Sequence, residues 1–308
     1  MTLETLLGKY KWIENWITIP ESPLGKMNGR THGIAALKNG EIVVFHQADP
    51  ALLHYSSGGI LLKAWGNYPG AHGLTLIEEE GEELLWLVDQ DIGEVVKATL
   101  DGRILLSLKK PDHEAYSTCN YVPTWAAVAE DRFGGNGDIW VADGYGASLV
   151  HRFDRSGNYL STLDGKEGGG RFDCPHGLAL DTRGREPEFY IADRGNRRFQ
   201  VYGIDGTYRR TFGEGFLDSP DISTTLGDHL IIPELKAGIT ILNSTDEPVA
   251  SLGVNPQVAS LEGWPNNRKW VAEGAFNSPH SATTDPHGNI YIVEWITGGR
   301  VTKLERLS

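Results

Sequence analysis

Short hydrophobic runs alternate with glycine-rich polar turns along the whole chain, and the same arrangement returns six times. A clear copy begins at Pro175-His176-Gly177-Leu178 and continues into a second run, Tyr190 to Asp193, that ends on an acid. Apolar segments of this length between turn residues predict strands rather than helices. We therefore expect an all-β protein built from repeated units.

The repeats return at intervals of about fifty residues, which is the period of propeller blades with four short strands each. Their starts are Thr31-His32, Ala71-His72, Pro123-Thr124, Pro175-His176, Pro220-Asp221 and Pro279-His280. The last unit ends soon after Leu304 and lacks a fourth strand, which the segment from Tyr10 to Ile19 is suited to supply. We predict a six-bladed β-propeller over residues 1–308, a single domain whose ring is closed by an N-terminal strand that completes the last blade.

Charge and composition limit the classes of partner that the protein is expected to bind. A net charge of -13 disfavours binding to nucleic acid or to an anionic membrane surface, so a small molecule is the expected partner. No signal peptide or spanning run is recognisable, and two cysteines are too few for a disulfide framework, which together favour a cytoplasmic protein. The oligomeric state is left open.

Histidine occupies one repeat position in alternate blades, at His72, His176 and His280. First strands line the channel of a propeller, so these three imidazoles are expected to converge on its axis. Three imidazoles suit a divalent metal, Zn²⁺ first, with Fe, Mn or Ni as alternatives. The alternative for each is a histidine that only bonds neighbouring backbone. His32 breaks the alternation and is assigned to substrate binding.

The second strands end on polar residues, and the residues that follow them are expected to face a ligand. Acids at these ends are expected to hold turns, with a structural Ca²⁺ in the channel as an alternative. Tyr145 is a candidate general base, and Arg194 is suited to bind a carboxylate. The remaining candidates for substrate binding are His46, Gln47, Gln90 and Trp295.

The segments Pro175 to Asp181 and Tyr190 to Asn196 resemble the NHL repeat. Within that superfamily, the stretch from Asp138 to Tyr145 and the one from Pro175 to Leu180 are similar to the core of the peptidyl-α-hydroxyglycine α-amidating lyases. This resemblance implies a catalytic zinc on His72, His176 and His280, a catalytic tyrosine at Tyr145 and an arginine at Arg194. It also implies a lyase that splits an α-hydroxyglycine amide into an amide and glyoxylate.

The chain departs from that family at two positions. His46-Gln47 stands where the family has a further active-site arginine, which puts a carboxylate clamp in doubt. Gly146 replaces a cysteine that secreted members use in a disulfide. These departures leave the substrate less defined than the metal site.

Two other readings of the repeats stay open. One is a non-catalytic NHL propeller that acts as a scaffold for a protein partner. The other is a metal-dependent hydrolase that resembles the lactone hydrolases, which coordinate calcium through carboxylates and asparagines. Two connections, residues 109–122 and 253–277, are longer than the repeat needs and are candidates for the walls of a binding site.

Overall fold

The computed structural model describes residues 1–236 and 238–307. The hydrophobic runs form antiparallel sheets, and the chain folds as two compact units, Met1–Pro69 with Gly215–Ser308 (unit 1) and Gly70–Glu214 (unit 2). The single domain stays a prediction. Among the described residues, no helix is long and apolar enough to cross a membrane.

Unit 1 begins with two strands, a short helix and the first blade. Ser22 caps the helix through its side chain, which accepts a hydrogen bond from the amide of Gly25, and Pro23 begins it. The elements are β1 (Thr2–Thr5), β2 (Gly8–Ile13), α1 (Pro23–Met27), β3 (Thr31–Ala36), β4 (Ile42–His46), β5 (Leu52–Tyr55) and β6 (Leu61–Trp65).

Unit 2 contains the second, third and fourth blades, each a four-stranded sheet in chain order. Short 3₁₀ helices lie in its loops at Glu114–Ser117, Asp131–Phe133, Lys166–Gly168 and Arg194–Asn196. The second blade is β7 (Ala71–Glu79), β8 (Glu82–Asp89), β9 (Glu94–Thr99) and β10 (Ile104–Leu108). The third is β11 (Trp125–Val128), β12 (Ile139–Asp143), β13 (Leu149–Phe153) and β14 (Tyr159–Leu163). The fourth is β15 (Pro175–Asp181), β16 (Glu188–Asp193), β17 (Arg198–Gly203) and β18 (Tyr208–Phe212).

The remainder of unit 1 holds the fifth and sixth blades. Their loop contains 3₁₀ helices at Val258–Ser260 and Arg268–Trp270. The fifth blade is β19 (Thr224–Leu226), β20 (His229–Glu234), β21 (Gly238–Leu242) and β22 (Pro248–Leu252), and the sixth is β23 (Pro279–Thr284), β24 (Ile290–Glu294) and β25 (Arg300–Leu307). Pro220, predicted to start the fifth blade, makes only an isolated bridge with Glu234.

The N-terminal strand completes the last blade, as predicted. β2 pairs with β25 and buries Tyr10 and Trp12, which are 0% and 3% exposed, and β1 adds a fifth strand to the sheet. The strand ends at Ile13 rather than Ile19, because Asn15 adopts a left-handed φ of 43° that extended backbone does not accommodate. The six sheets and this closure confirm a six-bladed β-propeller.

Burial falls from the first two strands of a blade to its fourth strand. Every residue of β4 and β12 is buried, whereas β6 and β14 are mostly exposed. Strands that are buried on both faces carry continuous apolar runs, which explains why the second strand of each repeat was the easiest to find in the sequence. The same strands end at the residues that lead into the candidate site.

Candidate active site

β-Bulges lie at the start of the first strand in the four blades that carry a histidine there. The pairing register of β7 shifts between Ala71 and Leu74, and that of β15 shifts between Pro175 and Leu178. The strands β3 and β23 have shifts at the same place, whereas β11, which no histidine precedes, has none. Because a bulge re-aims the side chains next to it, these shifts take the histidines out of the regular alternation of the strand.

Three polar atoms meet in unit 2: the Nε2 atoms of His72 and His176 and the phenol oxygen of Tyr145. The two nitrogen atoms are 3.2 Å apart, and the phenol oxygen lies 3.0 Å from Nε2 of His176 and 3.3 Å from Nε2 of His72. Both imidazoles are 0% exposed, whereas Tyr145 is 40% exposed. A buried imidazole pair is therefore met by a phenol that reaches it from the solvent side.

The carbonyl of Thr124 fixes the orientation of His72. The Nδ1 atom of His72 lies 2.8 Å from this oxygen, which only accepts hydrogen bonds, so Nδ1 carries the proton and Nε2 carries the lone pair. Gly73 allows this approach, because a Cβ there would lie 2.6 Å from the same oxygen. Burial, more than the nearby Arg194, lowers the pKa of His72 to about 3. The imidazole is therefore neutral, the form that binds metal ions.

Tyr145 is carried by a turn that Asp143 holds in place. The carboxylate of Asp143 accepts hydrogen bonds from the backbone amides of Val122 and Ala147, both at 2.7 Å, and from the hydroxyl of Tyr116 at 2.8 Å. Gly146 is needed in this turn, since a Cβ there would lie 2.2 Å from Asp143 Oδ1. Asp143 therefore has the structural role expected of the acids, and the turn presents Tyr145 to the histidines.

Arg194 contacts the Tyr145 phenol directly. Its Nη2 donates to the phenol oxygen at 3.2 Å, and its guanidinium carbon is 5.4 Å from the centre of the ring. The preceding acid, Asp193, accepts hydrogen bonds from the side chains of Asn196 and Arg198. Arg194 therefore lies where it can act on Tyr145.

The donor atoms of unit 2 fit a tetrahedral metal ion. Zinc with four ligands at about 2.0–2.1 Å has ligand atoms about 3.3–3.4 Å apart. The spacing of 3.2 Å between the two Nε2 atoms is close to this, and a proton on Nδ1 of His72 leaves its Nε2 as a donor. His72 and His176 therefore suit two corners of a zinc site. His280 belongs to unit 1, and its share in the site, like a structural Ca²⁺, stays a prediction.

Two of the predicted histidines lie side by side in unit 1. The rings of His32 and His280 have centroids 4.5 Å apart, and Nδ1 of His280 lies 3.0 Å from the carbonyl oxygen of His32. Both side chains are 2% exposed. The same orienting contact occurs here as at His72, a backbone carbonyl against Nδ1, which leaves Nε2 of His280 as the donor.

The other predicted substrate contacts have different surroundings. His46 is buried, its Nε2 lies 2.7 Å from the carbonyl oxygen of Pro50, and burial lowers its pKa. Gln47 is 5% exposed and pairs through its backbone with Arg30. In unit 2, the buried Oε1 of Gln90 has no donor among the described residues. The buried Nδ1 of His46 likewise has no partner among the described residues, so His46 and Gln90 are the candidates of these three with unused hydrogen-bonding capacity.

Trp295 adjoins a residue that the sequence interpretation missed. The guanidinium carbon of Arg30 lies 5.0 Å from the centre of the Trp295 ring, and Trp264 packs against the same tryptophan with ring centres 6.2 Å apart. Arg30 directly precedes Thr31-His32, the start of the first blade. The position of Arg30 next to a repeat start was the signal in the sequence that could have identified it, but candidates were sought only after the ends of second strands.

In comparisons with known proteins, no family model matches the chain. NHL repeat-containing protein 3 of Homo sapiens is 27% identical over 241 residues, which cover 73% of this chain and 67% of that protein. Peptidyl-alpha-hydroxyglycine alpha-amidating lyase 1 of Drosophila melanogaster is 27% identical over 260 residues, which cover 72% of this chain and 42% of the lyase. The chain is similar to both groups. This confirms the resemblance found in the motifs.

A second lyase relative covers less of the chain. The probable peptidyl-alpha-hydroxyglycine alpha-amidating lyase of Caenorhabditis elegans is 28% identical over 206 residues, which cover 56% of this chain and 55% of that protein. The chain therefore spans about half the length of these two lyases. Their activity comes to this chain only as a proposal.

Solved structures share the fold at low sequence identity. A streptogramin B lyase has a TM-score of 0.63 at 14% identity, with 96% of this chain and 97% of that chain covered. A gluconolactonase from Xanthomonas campestris has a TM-score of 0.66 at 13% identity, with 97% and 90% covered. These similarities extend over the whole propeller and concern its architecture.

Proposed function

We propose that the protein is a metal-dependent lyase that cleaves the C–N bond of an α-hydroxyglycine-like amide and releases an amide and glyoxylate. The observation that carries this proposal is the close group of His72, His176 and Tyr145 in unit 2, with Arg194 on the phenol. The similarity to proteins named as amidating lyases supports it.

The proposed metal is Zn²⁺, with Fe, Mn or Ni as alternatives. His72 and His176 would hold it, and the spacing of the repeats makes His280 the third ligand. A divalent ion bound there supplies a positive charge that polarises a substrate oxygen. Thr124 supports this set by keeping His72 in the tautomer that offers Nε2.

Tyr145 is the residue proposed to move the proton. As a phenolate it takes the hydroxyl proton of the substrate, the O–H electron pair forms the new C=O bond, and the C–N bond breaks. The amide nitrogen that leaves takes a proton back from the phenol, so no net proton is consumed. Tyr145 is partly exposed, so a substrate can approach its phenol, whereas the side chains of His72 and His176 stay buried.

Arg194 is proposed to stabilise the negative charge of this phenolate. Its Nη2 already donates to the phenol oxygen, and a guanidinium stays charged at physiological pH. An opposite charge at hydrogen-bond distance favours the ionised form of its partner. Loss of Arg194 is therefore expected to impair the base itself, apart from any contact with the substrate.

A second candidate function is that of a non-catalytic scaffold. It is favoured by the similarity to NHL repeat-containing protein 3, whose name carries no activity. A scaffold does not require the histidines and tyrosine to converge, and its channel would hold no stoichiometric metal. The metal content of the purified protein therefore separates the two candidates.

The test is metal analysis of the wild-type protein, of His176→Ala and of the control His54→Ala. His54 lies on the third strand of the first blade and contacts Glu41 at 2.8 Å, outside the proposed site. We expect about one metal ion per chain in the wild type and the control, and loss of most of it in His176→Ala. Metal content that His176→Ala leaves unchanged would refute the proposed site.

The substrate is tested on metal-replete protein. A panel of hydroxyglycine amides, ureidoglycolate-like compounds, sugar acids and sugar lactones distinguishes C–N cleavage from related hydrolysis, with glyoxylate release as the assay for cleavage. Turnover of a sugar lactone without glyoxylate release from any member of the panel would favour the hydrolase.

A further inference from the structure

Arg30 is a partly buried cation in unit 1 that makes no ion pair among the residues described. Its Nη1 donates to Asn28 Oδ1 at 2.5 Å, and its Nη2 donates to Asn266 Oδ1 at 3.3 Å. Both acceptors are neutral amides. The Nε atom is buried and has no acceptor within the described part of the chain.

A partly buried guanidinium with only neutral acceptors is unfavourable unless an anion accepts its remaining hydrogen bonds and balances its charge. Partial burial removes water from the charge, and this desolvation lowers the pKa of Arg30. A guanidinium has five N–H groups, and the two amide acceptors use one each, so three are left for another acceptor. The adjoining Trp295 face offsets part of the cost through a cation–π contact but supplies no hydrogen-bond acceptor.

The long loop before the sixth blade supplies two residues that contact Arg30 or Trp295. Asn266 Oδ1 accepts from the amide and the hydroxyl of Thr297, at 3.0 and 2.8 Å, in addition to Arg30. Trp264, which packs on Trp295, donates from its indole nitrogen to the carbonyl of Asn277 at 2.9 Å. The loop over residues 253–277 therefore holds the tryptophan and the amide that orient the guanidinium.

Arg30 is also tied to the histidines of unit 1. Its carbonyl oxygen lies 3.4 Å from Nδ1 of His32, and the carbonyl of His32 contacts His280. Its backbone pairs with Gln47, which donates to the carbonyl of Arg30 at 2.9 Å. The backbone of Arg30 thus lies opposite that of Gln47, the position where the sequence lacked an arginine.

We propose that Arg30 binds the carboxylate of a small-molecule ligand in unit 1, and that Trp295 and Asn266 hold its guanidinium for that purpose. A carboxylate has two oxygen atoms with the spacing of the two terminal nitrogens of a guanidinium, so it accepts two parallel hydrogen bonds and supplies the missing negative charge. Glycolate carries a hydroxyl on the carbon next to its carboxylate, as the substrate of the proposed function does, and only the choice of this probe rests on the proposed function.

The test compares glycolate with its neutral isostere glycolamide, by isothermal titration calorimetry on the full metal-replete chain. We expect the wild type to bind glycolate about 10- to 100-fold more tightly than glycolamide, the range for a hydrogen-bonded charge pair. In Arg30→Gln this preference disappears while the metal content stays unchanged. The control Lys269→Gln removes a positive charge from the same loop without contacting Arg30, and it keeps the preference.

Three results would overturn the proposal. They are a wild type that binds both probes equally, a wild type that binds neither at tens of millimolar, and an Arg30→Gln variant that keeps the preference. If Arg30→Gln does not fold, Arg30→Lys replaces it, because it keeps the charge and loses the paired hydrogen bonds; an undiminished preference would then contradict the proposal. A glycolate preference that depends on Arg30 in a protein without lyase activity would retain the anion site and refute only the lyase.

Discussion

Lowering the pH is expected to destabilise the protein through His151, which contacts Tyr116, a hydrogen-bond partner of Asp143. His151 is 0% exposed, its Nε2 lies 2.5 Å from the hydroxyl of Tyr116, and its Nδ1 lies 2.8 Å from Thr162 Oγ1. Burial, with a smaller effect of the nearby His113, lowers its pKa to about 3. The folded protein therefore keeps this imidazole neutral at a pH where the unfolded chain protonates it.

The sign and size of this pH effect on the free energy of unfolding follow from proton linkage. A folded pKa below the ordinary value of about 6.5 means that the stabilisation is present above pH 6.5 and is lost as the pH falls towards 3. Between pH 7.5 and pH 5.5 the unfolded state gains nearly one proton at this site that the folded state does not bind. The free energy of unfolding therefore decreases by about 1.4 kcal/mol from His151 alone.

The assay is urea denaturation of the wild type and of His151→Gln at pH 7.5 and pH 5.5. Glutamine keeps a polar group for Tyr116 and Thr162 and does not titrate, so the contributions of the other histidines cancel in the comparison. We expect the wild type to lose about 1.4 kcal/mol more than the variant over this interval. Equal losses in the two proteins would refute the reasoning.

Three further predictions concern the closure and the chemistry. Deleting residues 1–13 removes β2 with its two buried aromatics and should abolish cooperative thermal unfolding, because each aromatic alone is worth about 3–5 kcal/mol. Arg300→Gln leaves the buried Glu294 without its ion pair and should cost about 3–5 kcal/mol in urea denaturation; a loss below about 1 kcal/mol would contradict this. Tyr145→Phe should lower kcat about 10²- to 10⁴-fold on any substrate that the wild type turns over, with metal content unchanged, and full activity would remove Tyr145 from the mechanism.

The repeats could be recognised in the sequence because their signals are local. A buried second strand, a turn and an acid recur within a few residues of one another, and the order of hairpins follows from short connections. The closure was predictable for a related reason, since a last blade with three strands leaves an edge that the chain must cover. The exact bounds were less accessible, as Asn15 ends β2 through a backbone conformation that its neighbours do not announce.

The histidines, Tyr145 and Arg194 could be selected from the sequence because equivalent repeat positions share a direction in the fold. Sequence spacing does not show how each group is held, and here the tertiary structure is decisive. Thr124 sets the tautomer of His72 across 52 positions, and Tyr116 reaches Asp143 from a loop whose path no periodicity describes.

The sequence by itself determined the blades, their number, the strand that completes the last of them and the residue types available for chemistry. Only the tertiary structure decided the donor atoms, the protonated nitrogen of His72 and the surroundings of Arg30. The physical reason is that strands and turns depend on contacts between near neighbours in the chain. Burial, hydrogen-bond geometry and an unpaired charge depend on groups that folding brings together from distant segments, such as Arg30 with Asn266 and Trp295.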